Sequence, residues 1–269
     1  MARRHGIHVL KLVQMPDHTH NASIAESREQ LAAFTRDYTA VFAKEYNRAY
    51  HLSGPVFETP FGSAPKRSEK DVRSNLIYLD NNPVERKLVE KAEQYRWNYL
   101  AYAQSPNPFS EKILLRKVSM PLRRALDRVK RLHAAGKHLT YRILGPLFDA
   151  IQTKEEKEQL TDFIISTYSV IDHEASCSFF GGYEQEVMAA DSTKGSEYDI
   201  PEKFIGKSDK YYARFISLIM DNYSFKDIHE ILSLPEEEKR SLFTFLLSKT
   251  HAPRKQIAAF LHLPVEAMG

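Results

Sequence analysis

Cysteine and long apolar runs are scarce in this sequence. The single cysteine, Cys177, excludes an intramolecular disulfide and a zinc site built from several cysteines, as is typical of proteins in the reducing cytoplasm. No run approaches the roughly 20 apolar residues that span a bilayer. His8, Lys11 and Gln14 interrupt the apolar stretch after the basic N-terminus, so no signal peptide is indicated. We therefore expect a cytoplasmic protein without a membrane partner.

The composition is that of a globular protein with a concentrated basic segment. Hydrophobic residues make up 42% and charged residues 27% of the 269 residues, which is enough for one large core or two smaller ones. The net charge is only +3, yet ten basic residues and two acidic ones lie between Glu111 and Arg142. This segment predicts a polyanionic partner or the acidic face of another protein, with a solvated helix surface as the alternative.

The first hundred residues alternate between predicted strands and helices. In chain order, the apolar pattern predicts a strand over 7–14, a second strand from His18, a helix over 26–50, a short strand over 54–61 and a helix from Ser68 to about Asn82. Ser68 is a good helix cap with acidic residues close behind it. Pro83 is expected to end this helix, because a proline disfavours helical geometry in the residue before it.

The remainder of the chain is helical in period, and we divide it at the linker-like stretch 105–108. The predicted regions are an N-terminal domain over 1–104, a basic helical extension over 105–210 and a helical region over 211–269. Three short helices are predicted in the last region, over 226–234, 236–247 and 254–261.

Two short motifs contain residues suited to chemistry. In "MPDHTH", a strand puts His18 and His20 on one face, about 7 Å apart at the backbone, where two imidazoles can bind one metal ion. In "NLIYLDNNPVERKLV", Tyr78 and Asn82 stand four residues apart and share one helix face. A phenol is a possible covalent nucleophile and an amide oxygen a possible metal ligand. The alternatives are that His18 and His20 are two polar residues in a turn, that Tyr78 is a packed aromatic residue and that Asn82 caps the helix.

The order of these pieces resembles a known family of enzymes. "MPDHTH", a helix ending "YNRAY", then "SGPVFETPF", "YLDNNPVERKLV" and "YRWNYLAY" are similar to the single-tyrosine HUH transposases. They are most similar to the REP-associated tyrosine transposase branch, whose longer members have a helical C-terminal extension. The resemblance covers about residues 5–103.

The resemblance implies a fold, a site and an activity. The implied fold is α+β, with an N-terminal ferredoxin-like (RRM-like) antiparallel sheet and helices, here without its first strand and helix, followed by an all-α C-terminal region. Tyr78 matches the nucleophile, and His18, His20 and Asn82 match the residues that hold Mg²⁺ or Mn²⁺. The implied activity is that of a transposase: metal-dependent cleavage and joining of single-stranded or hairpin DNA through a 5′-phosphotyrosine. The expected assembly is a monomer or homodimer.

Two groups of residues are candidates for DNA contact. They are, in the extension, Arg123, Arg124, Arg128, Lys130 and Arg131, and near the C-terminus Arg254, Lys255 and Gln256. The first group fits a track for backbone phosphates. The second begins the last helix of "EEEKRSLFTFLLSKTHAPRKQIAAFLHLP", which resembles the helix-turn-helix of replication initiators and regulators. Such a helix presents side chains to phosphates and base edges. A structural helical cap is the alternative.

Departures from the family pattern keep other functions open. Six residues precede the strand that leads to the histidines, and Thr19 and Asn21 stand where the family has hydrophobic residues. These departures favour a catalytically silent, sequence-specific DNA-binding protein derived from such a transposase. "DHTH" also resembles the metal-binding start of barrel-type amidohydrolases. The helical pattern after residue 105 disfavours that fold, which needs eight strand and helix units.

Overall fold

A two-stranded antiparallel sheet and a series of helices form the fold of the computed structural model, which describes residues 1–57, 61–193, 209–225 and 228–263. The strands are β1 (His8–Gln14) and β2 (Thr19–Ile24). The α-helices in these ranges are α1 (Arg28–Tyr50), α2 (Glu69–Glu85), α3 (Met120–Ala134), α4 (Tyr141–Asp149), α5 (Lys154–Tyr168), α6 (His173–Ser178), α7 (Tyr183–Ser192), α8 (Asp209–Asn222), α9 (Glu236–Lys249) and α10 (Arg254–Phe260). Short 3₁₀ segments lie at Ala2–His5, Ala92–Gln94, Arg96–Asn98, Leu100–Ala103 and Ile228–Ser233. None of the helices described is long and apolar enough to cross a membrane.

The mixed α+β class is confirmed, whereas a ferredoxin-like arrangement is not. Within the described ranges the sheet contains β1 and β2 alone, and β1 adds one isolated parallel bridge, between Val9 and Ile171. A barrel-type hydrolase would need eight parallel strands. The described sheet therefore contradicts that alternative.

The sheet places the two histidines beside a buried strand end. Val13 of β1 pairs with His20 of β2 and has no exposed surface. The backbone N–H of Met15 donates to the carbonyl of His18 at 2.9 Å, which closes the turn between the strands. The buried end of β1 therefore supports the segment that contains both histidines.

Helix α2 begins where the sequence predicts and ends later. The Ser68 hydroxyl accepts a hydrogen bond at 3.1 Å from the backbone N–H of the third helical residue, which caps the helix. The predicted end near Asn82 is wrong, because the helix continues to Glu85 with Pro83 inside it. Pro83 has no backbone N–H and therefore cannot donate the hydrogen bond of a regular helix. The loss is small here, because only two residues of α2 follow Pro83. Residues 78–84 are all buried, so their packing favours the helical turn.

The strand predicted over 54–61 is wrong for residues 54–57, which form no strand. Residues 58–60 lie outside the described part of the chain. The Phe57 ring packs against Phe42 of α1 instead, with ring centroids 5.9 Å apart. An aromatic contact with a helix thus takes the place of the expected strand pairing.

The C-terminal helices enclose a core of their own. Helices α8, α9 and α10 and the last 3₁₀ segment surround a cluster that includes Phe215, Ile219, Leu246, Ile257 and Leu261. The short helices predicted over 236–247 and 254–261 are confirmed. The one predicted over 226–234 is present as a 3₁₀ segment at 228–233, and residues 226 and 227 lie outside the described ranges.

Buried contacts connect the N-terminal residues with the helical extension. The Tyr102 hydroxyl donates to Asp162 Oδ1 of α5 at 2.7 Å. The Asn81 side-chain amide donates to the Ala190 carbonyl of α7 at 2.8 Å. These hydrogen bonds cross the predicted boundary near residue 105, so α5 and α7 pack directly on the segment that contains the two motifs.

Candidate active site

The structure brings the four predicted site residues together. The rings of His18 and His20 are nearly perpendicular, with centroids 4.7 Å apart. The His20 ring lies 5.9 Å from the Tyr78 ring. Asn82 Nδ2 is 3.2 Å from His20 Nε2 and donates to the Tyr78 hydroxyl at 3.3 Å. The two motifs, 58 residues apart in the sequence from His20 to Tyr78, therefore form one cluster.

Local structure explains how each side chain reaches this cluster. Asn82 follows Tyr78 by one turn of α2, so both project from the same face, as the spacing predicts. Tyr78 packs in an apolar cluster with Val13, Met15 and Leu79. This packing holds α2 against the strand end that precedes the histidines.

Two polar atoms of the cluster are buried without a hydrogen-bond partner. They are His18 Nε2 and Asn82 Oδ1. A buried acceptor without a hydrogen bond lowers the stability of the folded protein, so its presence calls for an explanation, such as a bound ion. An imidazole nitrogen and an amide oxygen are both possible ligands of a divalent cation. His18 and Asn82 therefore offer ligands that fit the metal ion implied by the family resemblance, whereas His20 Nε2 faces the Asn82 amide nitrogen at 3.2 Å and would exchange this contact for the ion.

Asp17 orients the first histidine for this role. Its Oδ1 lies 2.6 Å from His18 Nδ1. The hydrogen bond with His18 is the main cause that lowers the pKa of Asp17, with Arg86 nearby as a further contribution. A carboxylate that accepts from Nδ1–H leaves the lone pair on Nε2, and metal-binding histidines commonly have such a partner. Sequence reasoning did not select Asp17, although its place directly before His18 is a usable signal.

The donor set includes an amide, which distinguishes it from the commonest metal sites. Within the described ranges, no three His, Cys, Asp or Glu side chains gather into a group that could hold a metal. The candidate set here is His18, His20 and Asn82. Magnesium prefers oxygen ligands, so two imidazoles favour Mn²⁺ over Mg²⁺.

The cluster is open to solvent on one side. The side chains of His18 and Asp17 are 29% and 34% exposed. Tyr78 is 7% exposed, and Asn82 is also buried. The outer edge of His18 therefore faces solvent, whereas its Nε2 and the phenol of Tyr78 lie deeper.

A buried ionic group lies directly behind the site. Lys11 Nζ donates to Asp80 Oδ1 and Oδ2 at 2.8 and 3.0 Å and to Glu186 Oε1 at 2.8 Å. We call these three residues the Lys11 centre. Burial raises the pKa of Asp80 to about 7, with Glu186 adding to the effect and Lys11 opposing it. Burial works against the ammonium of Lys11, but the two carboxylates outweigh it and raise its pKa.

Sequence reasoning missed the Lys11 centre. The sequence offers one signal for it, a lysine between Leu10 and Leu12 in the middle of a predicted strand. Its partners cannot be read from spacing, because Asp80 is 69 and Glu186 175 residues away from Lys11.

The basic residues predicted in the extension share an exposed helix face. Leu122, Ala125, Leu126, Val129 and Leu132 bury the opposite face of α3. The exposed ones are Arg123, Arg124, Arg128, Lys130 and Arg131. Asp127 lies on this face and pairs with Arg131 at 2.7 Å. The face therefore presents a net positive charge to solvent.

The predicted C-terminal DNA contacts divide into two kinds. Arg254 and Lys255 are exposed at the start of α10. Gln256 is 3% exposed, beside the buried Ile257 and Ala258. Its side chain is therefore buried in this structure, and its contact with DNA stays a prediction.

The comparisons with known proteins identify no relative of this chain. No protein-family model matches the chain, and no curated protein and no solved structure matches it. The resemblance to HUH transposases rests on the motifs and on the cluster that they form.

Proposed function

We propose that this chain is a metal-dependent single-stranded DNA endonuclease and strand-transferase of the single-tyrosine HUH type. Its substrate would be hairpin-forming repeat DNA, and its intermediate a 5′-phosphotyrosine. The observation that supports the proposal most is the contact of Tyr78 and Asn82 with His20, whose ring packs against that of His18. In this proposal β1, β2, α1 and α2 correspond to the part of a ferredoxin-like HUH domain that follows its first strand and helix.

Three side chains would hold the metal ion. They are His18, His20 and Asn82, with Asp17 fixing the orientation of His18. A bound Mn²⁺ or Mg²⁺ supplies positive charge that draws electron density from a phosphodiester. The exposed edge of His18 is where a backbone phosphate would enter.

Tyr78 would be the nucleophile. Its phenol gives up a proton to water, and the phenolate oxygen attacks phosphorus, so that a P–O bond to Tyr78 forms while the bond to the 3′ oxygen breaks. The departing 3′ oxygen takes a proton from water and leaves as a hydroxyl. The amide N–H of Asn82, which donates to the phenol oxygen, favours negative charge there. The phosphotyrosine bond retains the energy of the broken one, so rejoining is the same step reversed and needs no ATP.

The basic face of α3 would bind the DNA backbone. Arginine and lysine side chains there can neutralise phosphates without reading sequence. Arg254 and Lys255 at the start of α10 would add contacts of the same kind.

The proposal is tested with labelled single-stranded hairpin DNA taken from the flanks of the gene. Purified protein is incubated with the DNA and Mn²⁺ or EDTA and then separated by denaturing electrophoresis. We expect a covalent adduct with Mn²⁺, none with EDTA and none for Tyr78→Phe. Tyr95→Phe is the matched control, because Tyr95 packs against the same apolar cluster and should retain the adduct.

One observation favours a second function, that of a catalytically silent, sequence-specific DNA-binding protein. Tyr78 is 7% exposed, so its phenol is poorly accessible in this conformation. Such a protein would bind the flanking hairpin without forming an adduct in any divalent metal, and Tyr78→Phe would not change its affinity.

A further inference from the structure

Helix α7 reaches the candidate active site through the Lys11 centre. Glu186 of α7 accepts from Lys11 Nζ at 2.8 Å and from the Ser176 hydroxyl at 3.2 Å. The same ammonium binds both oxygens of Asp80. One buried lysine therefore connects β1, α2 and α7.

A second hydrogen bond ties α7 to α2 at the next residue. The Asn81 amide donates to the Ala190 carbonyl at 2.8 Å and approaches Thr193 Oγ1 at 3.4 Å. Asp80 and Asn81 lie between Tyr78 and Asn82. Contacts at these two positions restrict both the rotation and the sliding of α2, and therefore the direction in which the phenol and the amide point.

The burial of this group indicates a positioning role rather than simple stabilisation. Asp80 and Glu186 have no exposed surface, and Lys11 is almost completely buried. Buried ion pairs often contribute no more stability than well-packed apolar residues would. What they add is a fixed geometry, and a displacement of about 1 Å at a reacting group can cost a factor of about 100 in rate.

We infer that α7 is part of the active-site framework and that Glu186 is a positioning residue, which acts through Lys11 and Asp80 on the placement of Tyr78 and Asn82. The inference rests on the proposed function, whose reaction it deepens. The helical extension would therefore contribute to the active site through α7.

The decisive variant is Glu186→Leu, which keeps the buried volume and leaves Lys11 and Asp80 as a neutral pair. Glu184→Leu is the matched control, because Glu184 is exposed on the same helix. Three quantities are measured on the full chain: the Mn²⁺ dissociation constant without DNA, the single-turnover rate of adduct formation at saturating hairpin DNA, and the hairpin dissociation constant. Thermal unfolding verifies that each variant is folded.

We expect Glu186→Leu to weaken Mn²⁺ binding about tenfold, as loss of a supporting residue does. Adduct formation should slow by at least the same factor. Hairpin affinity should change less than about twofold, since α3 provides that surface. Glu186→Gln should recover most of both losses, because its amide oxygen still accepts from Lys11. A general loss of stability would not give this separation of metal affinity and rate from DNA affinity.

A folded Glu186→Leu protein with wild-type Mn²⁺ affinity and adduct rate would overturn the inference alone. If that variant does not fold, Asn81→Ala serves instead, since it removes the second tie to α7. Wild-type values in both measurements for Asn81→Ala would then overturn the inference. A wild-type protein that neither binds Mn²⁺ nor forms an adduct would overturn the proposed function and this inference with it.

Discussion

At the scale of single residues, the site depends on which atoms are left without partners. Spacing alone makes His18 and His20 a weak metal motif. The structure strengthens this motif, because His18 Nε2 and Asn82 Oδ1 are buried without hydrogen bonds and Asp17 is hydrogen-bonded to His18 Nδ1. The sequence predicts the candidate ligand residues, and the structure shows which of their atoms are buried without a hydrogen-bond partner.

Removing one histidine tests the proposed metal site directly. We expect His20→Ala to weaken Mn²⁺ binding at least about tenfold, since one of three proposed ligands is lost. His8→Ala is the control, because His8 is an exposed strand histidine outside the cluster. Isothermal titration with Mn²⁺ in the absence of DNA measures both. Equal affinities for the two variants would contradict the assignment of His20.

His173 makes stability depend on pH. Burial, with a smaller contribution from Lys11, lowers the pKa of His173 from 6.5 to about 4, and its Nε2 is buried without a hydrogen-bond partner. The unfolded chain therefore binds a proton below pH 6.5 that the folded chain does not bind until about pH 4, and stability falls as pH falls through this window. The expected loss is roughly 1–2 kcal/mol between pH 7 and pH 5.

Substitution isolates the contribution of this histidine. His173→Asn should lose less stability than the wild type between pH 7 and pH 5, by about the same 1–2 kcal/mol. Urea unfolding at both pH values measures the difference. A parallel decrease in the two proteins would show that His173 is not responsible.

At the scale of elements, amphipathic pattern and caps predict well, and long-range packing does not. The start of α2 at Ser68 and the two faces of α3 follow from local sequence. The end of α2 does not, because buried packing around Pro83 outweighs the local preference for a stop. The burial of Gln256 was likewise not predictable from local sequence, since the residue is polar and lies in the first turn of α10.

The basic face of α3 predicts a salt-dependent affinity for DNA. Replacing Arg124 and Arg128 by alanine removes two exposed cations, so affinity for hairpin DNA should fall and the slope of log affinity against log salt should decrease by about 2. The double variant Lys44→Ala/Arg48→Ala, on exposed positions of α1, is the control. Fluorescence anisotropy over a salt series measures the slopes. An unchanged slope would exclude this face as the phosphate track.

At the scale of the whole molecule, the motif-bearing segment and the extension are structurally interdependent. Lys11 binds Glu186, Asn81 binds Ala190, and Val9 forms a bridge with Ile171. The motifs could be found from the sequence because each is local. These contacts could not, because their partners lie more than 100 residues away along the chain.

This interdependence predicts the behaviour of a truncated chain. A fragment of residues 1–104 would leave Lys11 and Asp80 without Glu186 and would expose the surface that α7 covers. We expect it to lack a cooperative thermal transition by circular dichroism, whereas the full chain shows one. Cooperative unfolding of the fragment would instead establish residues 1–104 as an independent domain.

We propose that Tyr78 becomes covalently linked to DNA, and peptide mapping of the adduct tests this proposal. Protein incubated with Mn²⁺ and hairpin DNA from the flanks of its gene is digested with nuclease and trypsin and analysed by mass spectrometry. We expect a nucleotide phosphate on the peptide that contains Tyr78. A modification confined to any other residue, or DNA binding without a modified peptide, would contradict it.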